Sequence, residues 1–267
     1  MKVLIKNELK RAVFNKWMYI SLLIGCSLAI IHVIANVIPY ANRIYLGSYP
    51  LTVFNKWMGG ESFSVEPVIY FFIFPILISL PYAGTLKMDI SSGYIKNIIT
   101  RINKTKYFLT KYVITFITSS ILAVIPLILN LLLVSIILPS TIPQANLGTY
   151  PIFSVSLMGD LYYSKPYLYI LIYLIIIGIF SGLLSTTALF ITYFAENIFF
   201  VILSPFIIYL LAFSITQLTD LHQFSPYGFL RPSQPIPGDW FVIMVECVIL
   251  IIIGGLYMYV SSREKIY

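Results

Sequence analysis

The sequence predicts an all-α, polytopic membrane protein with six transmembrane helices, both termini cytoplasmic and an amphipathic interfacial helix at the N-terminus. Three observations carry this expectation. Six long apolar stretches, joined by short polar segments, fill most of the 267 residues. Only 10% of residues are charged and 59% are hydrophobic, with a mean hydropathy of +0.92, whereas a soluble domain carries roughly 25% charged residues. Finally, Lys and Arg gather on one side of the stretches. In hydrocarbon only helices and closed barrels satisfy every backbone polar group, and these runs are too long and too evenly apolar for barrel strands.

In chain order, residues 2–17 form an amphipathic segment. Ile5, Leu9, Val13 and Trp17 recur at helical spacing beside a basic stripe of Lys2, Lys6 and Lys10, the arrangement of a helix lying in the headgroup region. A hydrocarbon core about 30 Å thick needs roughly 20 helical residues. The predicted spans are 18–38, 67–86, 112–138, 166–194, 198–218 and 241–260; the third and fourth exceed that need and should tilt or protrude. The first stretch is of spanning length with no A-x-A-like site after it, which predicts no cleaved leader. No segment outside the spans is large enough to fold alone, so residues 1–267 are expected to form one membrane domain. Cys26 and Cys247 lie in apolar runs and read as small buried hydrophobes.

An even number of spans puts both termini on one side. Thirteen of the seventeen Lys and Arg residues then share that side: Lys2, Lys6, Lys10, Arg11, Lys16, Lys87, Lys96, Arg101, Lys104, Lys106, Lys111, Arg263 and Lys265. Arg43, Lys56, Lys165 and Arg231 remain opposite. The positive-inside rule makes the basic side cytoplasmic, and the positive net charge is expected to face anionic lipid rather than nucleic acid. The outer loops 39–66, 139–165 and 219–240 are rich in Gly, Pro and aromatics, the chemistry of compact turns. The inner side has a tight turn at 195–197 and one substantial loop, 87–106.

In that loop Asp89, Ser91 or Ser92 can cap a short helix. Ile95, Ile98, Ile99 and Ile102 make an apolar stripe, with Lys96, Asn97 and Arg101 elsewhere on the circumference. Such a helix, joined to two spans, can transmit a push from a soluble partner, or simply lie on lipid. The run Asp89-x-x-Ser92-Gly93-Tyr94-Ile95-Lys96-Asn97-Ile98-Ile99-Thr100, followed by Tyr107 and Lys111, resembles the first cytoplasmic loop of ABC-2 type transporter permeases, with Asp89 in place of the commoner Glu. The basic opening from Lys6 to Trp17 resembles the amphipathic connecting helix of the same family, and the six-span layout extends the resemblance over the whole chain.

The resemblance implies an exporter subunit that pairs with a second copy or a related permease. It also implies that the loop docks on a separate ATP-binding-cassette subunit, through Asp89, Ser92, Gly93, Tyr94, Ile95, Ile98, Ile99 and Arg101. Glu196, in the 195–197 turn, is a second contact or a helix cap. The chain has no G-x-x-x-x-G-K-[ST] phosphate cradle, so ATP and Mg are expected in the partner and no cofactor in this chain. Small members of the family commonly export antimicrobial peptides or confer immunity to them, and others move drugs, lipids or polysaccharide. The Ile-, Lys-, Asn- and Tyr-rich usage suits a Gram-positive bacterium. Hence the expectation is a multi-pass cell-membrane protein moving a peptide or amphiphilic substrate.

Within the spans, Glu246 lies about one and a half turns into the last one, where an unpaired charge is costly. It reads either as a proton-coupling or cationic-substrate site or as an acid bonded to a neighbouring helix or water, with His32, Asn36 and Asn130 as candidate partners. The alternative function is therefore a secondary transporter or channel using Glu246. Gly178, Gly182 and Thr186 follow at four-residue intervals as a packing seam, within one subunit or between two. Pro75, Pro81, Pro126 and Pro205 are expected to break spans two, three and five. No His/Cys/Asp/Glu set has metal spacing, and no nucleophile elbow or carboxylate pair suggests an enzyme.

Overall fold

The computed structural model describes residues 2–43, 51–61, 64–144, 152–153, 155–233 and 237–263; Lys265 lies outside them. Twelve α-helices are found among the described residues, and no strand. They are α1 (Lys2–Val13), α2 (Lys16–Asn36), α3 (Val53–Lys56), α4 (Val65–Ser79), α5 (Thr85–Ser91), α6 (Tyr94–Ile99), α7 (Lys104–Ile137), α8 (Gly159–Ser164), α9 (Pro166–Ile191), α10 (Ile198–Leu218), α11 (Pro226–Phe229) and α12 (Trp240–Arg263). Five of these, α2, α7, α9, α10 and α12, are long and apolar enough to cross a membrane.

The bundle is built around α9, of whose most apolar window 67% is buried, against 22–33% for the other four long helices. Around it pack α7, α10, α12 and α4, while α2 fills the groove between α7 and α4. Large apolar side chains cover the outside, among them Leu23, Ile34, Ile136, Leu211, Ile215 and Ile252, whereas Ser181, Ser185, Thr186 and Thr187 of α9 are buried. Water would penalise such an exterior, and lipid would not.

The second expected span is interrupted. Its first helix, α4, ends at Ser79, residues 80–84 form turns, and α5 restarts at Thr85. Pro81 cannot continue the hydrogen-bond ladder, and its carbonyl accepts from Asn15 Nδ2 at 2.7 Å. The other three prolines do not end their helices. A proline leaves the carbonyl four residues earlier without its backbone donor, and side chains supply the replacement in two cases. Tyr209 OH donates to Phe71 O at 3.0 Å for Pro75, and Ser204 Oγ donates to Val201 O at 2.8 Å for Pro205.

Other boundaries shift as well. Helix α7 starts at Lys104, ahead of residue 112, capped by the Asn103 side chain. The link from α9 to α10 covers 192–197 rather than the expected 195–197, because Tyr193 N and Phe194 N bond the carbonyls three residues back, Phe190 O and Ile191 O, and tighten the chain out of the α-helix. The N-terminal segment is a separate helix, and α2 begins afresh with Asn15 as its cap.

The α9 seam lies within this chain. A Cβ on Gly182 would stand 2.5 Å from Ser120 Oγ and 2.6 Å from Phe116 Cδ2 of α7, and one on Gly178 would meet Val124 at 3.4 Å. Ser120 Oγ donates to Gly178 O at 2.7 Å. Thr186 is fully buried one turn further and bonds Leu183 O. Gly182→Leu should therefore cost about 1–3 kcal/mol by overpacking, seen as a lower thermal unfolding temperature in detergent. Gly255→Leu, with nothing within 4 Å of its Cβ, should leave that temperature unchanged.

Candidate functional site

Two buried polar networks occupy opposite ends of the bundle. At the end where α1 lies, the network begins with the register of that helix. The face turned to the protein is Leu4, Glu8 and Ala12, whereas Leu9, Val13 and Trp17 of the expected apolar stripe are exposed. Glu8 decides this orientation, because on this face it meets a buried cation. Lys111 Nζ, from the second turn of α7, lies 2.9 Å from Glu8 Oε2 and 2.7 Å from Asp89 Oδ2. It also donates to Thr85 Oγ1 at 3.3 Å. Arg11 Nη2 closes on Asp89 Oδ1 at 2.7 Å, Tyr107 OH donates to Asp89 Oδ2 at 2.6 Å, and Tyr82 OH donates to Glu8.

Two acids and two bases balance, so the cluster carries no net charge although Lys111 and Asp89 are wholly buried. Burial alone would raise the Asp89 carboxyl, but the bonds from Arg11, Lys111 and Tyr107 hold it below its ordinary range. Burial opposes the Arg11 charge, yet its bond to Asp89 and the nearby Glu8 raise the guanidinium above its usual value.

This network clamps the expected coupling segment to the bundle. Asp89 is an internal strut rather than a surface contact. Gly93, in the left-handed region at φ 71°, turns the chain sharply from α5 into α6. No side chain caps α6; Ser91 and Ser92 instead bond back to Met88 O. Ile95 is buried, and Ile98, Ile99 and Ile102 pack half-buried against a cluster that includes Leu4, Tyr107, Leu189 and Tyr257. Tyr94 is half exposed, with the Arg11 guanidinium over its ring at 5.6 Å. The outward surface is Ser91, Ser92, Lys96, Asn97, Thr100 and Arg101. Glu196 is exposed in the link 192–197. That link leads into Ile198 of α10, which abuts Gly84 just ahead of α5.

At the opposite end, near α3, the centre is His32 of α2. Asn130 of α7 accepts from Met58 N at 2.8 Å through Oδ1 and donates through Nδ2 to Ala29 O at 3.1 Å. Those partners fix the amide, so its Nδ2 also donates to His32 Nδ1, 3.0 Å away. His32 therefore carries its proton on Nε2 and gives it to Glu61 Oε2 at 2.5 Å. Lys56 donates to the other oxygen of Glu61. Burial works against the Glu61 charge, but the bonds from His32 and Lys56 keep its carboxyl below the ordinary glutamate value. Trp57 Nε1 donates to Leu127 O at 3.1 Å, so the segment around α3 is stapled to α7.

Glu246 belongs to neither network. The expected grouping with His32, Asn36 and Asn130 does not form: His32 and Asn130 are engaged by Glu61 and by each other, and Asn36 donates to Glu66 at 2.9 Å. Glu246 lies in a cavity of about 260 Å³ between α9, α10 and α12, with Phe180, Leu184, Tyr209, Phe224 and Ile249 on its walls. Among the described residues no three His, Cys, Asp or Glu side chains gather as a metal set.

Glu8, Glu61 and Tyr82 are the polar partners that sequence reasoning passed over, and Tyr107, singled out only within the resemblance, bonds Asp89. A weak signal existed for Glu8, which stands midway between Leu4 and Ala12 on one helical face. No periodicity marks Glu61, which lies between helices. Compared with family models, curated proteins and solved structures, the chain has no match.

Proposed function

We propose that this chain is the membrane-spanning subunit of an ABC-2 type exporter, moving a peptide or amphiphilic substrate out of a bacterial cell when a separate ATP-binding subunit drives it. The observation that carries the reading is the α5–α6 segment, held to α1 and α7 by the buried Glu8–Lys111–Asp89–Arg11 cluster. A helix that only rested on lipid would not need a fourfold ionic clamp beneath it. A helix that receives force does, since a loose contact dissipates motion. In this reading α4, the turn at 80–84 and the start of α5 together make the second of six spans. Helix α4 alone, about 22 Å long, is short of the ~30 Å hydrocarbon core. The N- and C-termini and α6 then share the basic, cytoplasmic side, and two permease chains line the path between them.

The test uses the exposed side of α6. Ile98 and Ile99 are half-buried, so charges there would disturb the protein itself. Lys96→Glu with Arg101→Glu changes only the outward surface. The pair should lower recovery of the co-expressed ATPase and transport together, by about tenfold or more for two reversed contact charges, at unchanged thermal stability of the permease. If both recovery and transport persist, the exporter reading is wrong.

A second reading, a secondary transporter or channel, draws support from Glu246, which lines an apolar cavity and has no ion pair among the described residues. It requires that the wild type transport without ATP hydrolysis and that Glu246→Gln abolish that transport.

A further inference from the structure

We infer that the cavity between α9, α10 and α12 is a binding site for a hydrophobic amine, with Glu246 as its counter-ion. The walls are apolar and aromatic: Phe180 and Leu184 from α9, Tyr209 from α10, Ile249 from α12, and Phe224 from the turn between α10 and α11. Glu246 is the one acid among them. Among the described residues no hydrogen bond or ion pair engages its half-buried carboxylate, whereas the fully buried acids, Glu8, Glu61 and Asp89, are each held by at least two donors.

An acid in such surroundings is costly to keep charged, and the cost falls when a cation enters beside it. Aromatic walls add attraction for an alkylammonium group. The Tyr209 hydroxyl is already committed to Phe71 O, which leaves Glu246 as the polar anchor and the rest of the wall for apolar contact. This is the composition of a small-molecule site: mostly apolar, with few polar groups to fix orientation.

Size sets the class of ligand. A dry cavity of roughly 150 Å³ accepts benzene; about 260 Å³ here has room for a phenyl ring with a short alkylamine. The inference goes beyond the exporter reading and does not need it, because binding is measured on the permease without any ATP-binding partner.

The experiment compares phenylbutylamine, charged at neutral pH, with phenylbutanol, its uncharged counterpart of equal length. Binding to the full chain in zwitterionic nanodiscs is followed by calorimetry, with empty nanodiscs subtracted. The amine should bind at least about tenfold more tightly than the alcohol, as expected for one ion pair formed out of water. Glu246→Gln should erase that preference, and Ala212→Trp, which fills the cavity and keeps the acid, should weaken both ligands. Equal affinities in the wild type would overturn the inference. So would a preference that survives Glu246→Gln, or binding untouched by Ala212→Trp. Should the Gln variant fail to fold, the wild-type comparison and Ala212→Trp still decide.

Discussion

Lys111→Met is expected to destabilise the protein by about 3–5 kcal/mol, the range for removing one partner from a buried ionic group. Lys111 is the common cation of Glu8 and Asp89. Without it, Arg11, itself partly exposed, alone faces two buried carboxylates. Arg11 is already committed to Asp89 through two nitrogens, and it reaches Glu8 only at 3.9 Å. Glu8 would therefore be left with the Tyr82 hydroxyl and no close cation. The expected result is a large fall in thermal unfolding temperature in detergent and loss of the monodisperse species. Adding Glu8→Gln to Lys111→Met restores charge balance and should recover part of the loss. Met at exposed Lys96 should change nothing measurable. If Lys111→Met behaves like the Lys96 control, the cluster is not the clamp described above.

Glu61→Ala is the second large effect, about 3 kcal/mol by the same reasoning, at the other end of the bundle. Glu61 is the acceptor of both His32 Nε2 and Lys56. Its removal leaves the buried His32 Nε2–H only a long 3.4 Å contact with Ser64 Oγ, leaves Lys56 without its carboxylate, and cuts the bond that ties residue 61 to α2. Acid should imitate the change. Glu61 and Asp89 both have carboxyls below their ordinary values of about 4.5 and about 3.8. For a depressed acid, the added stability is fully present above the unfolded value and is lost as pH falls through the folded one. Unfolding temperature should thus hold steady above about pH 4.5 and drop steeply below about pH 4. In Glu61→Gln that drop should be shallower, because one of the two titrating acids is gone. An identical acid limb in wild type and Glu61→Gln would show that Glu61 contributes nothing.

The long helices were legible because each is a continuous apolar run of spanning length, and hydropathy needs no knowledge of partners. The break after α4 was legible in Pro81, one of four prolines expected to break spans; that Pro75, Pro126 and Pro205 leave their helices continuous was not, since it depends on partners such as Tyr209 from another helix. The α5–α6 segment was legible as a helix with an isoleucine stripe, but its caps were not: Gly93 does by backbone conformation what Asp89 or a serine was expected to do by side chain. The ionic clusters were the hardest to see. Lys111 and Glu8 each look like an ordinary flanking charge, and they stand 103 residues apart, a separation that no local pattern joins. For α1, the more apolar stripe of Ile5, Leu9 and Val13 outweighed Leu4, Glu8 and Ala12 on any hydropathy scale. The buried face was chosen by one ion pair. Glu246 was visible as an acid in an apolar run, but the cavity around it comes from three helices and a turn meeting in space.

Helix α7 is the element that joins both networks, Lys111 at one end and Asn130 at the other. Nineteen residues separate them, roughly 28 Å of helix axis, close to the ~30 Å thickness of a hydrocarbon slab. A helix anchored to buried polar partners at both levels has little freedom to lean when its surroundings grow thinner or thicker. The lipid must then do the adjusting. In that sense α7 is a gauge: its two anchors set the hydrophobic thickness that the protein imposes on the bilayer around it.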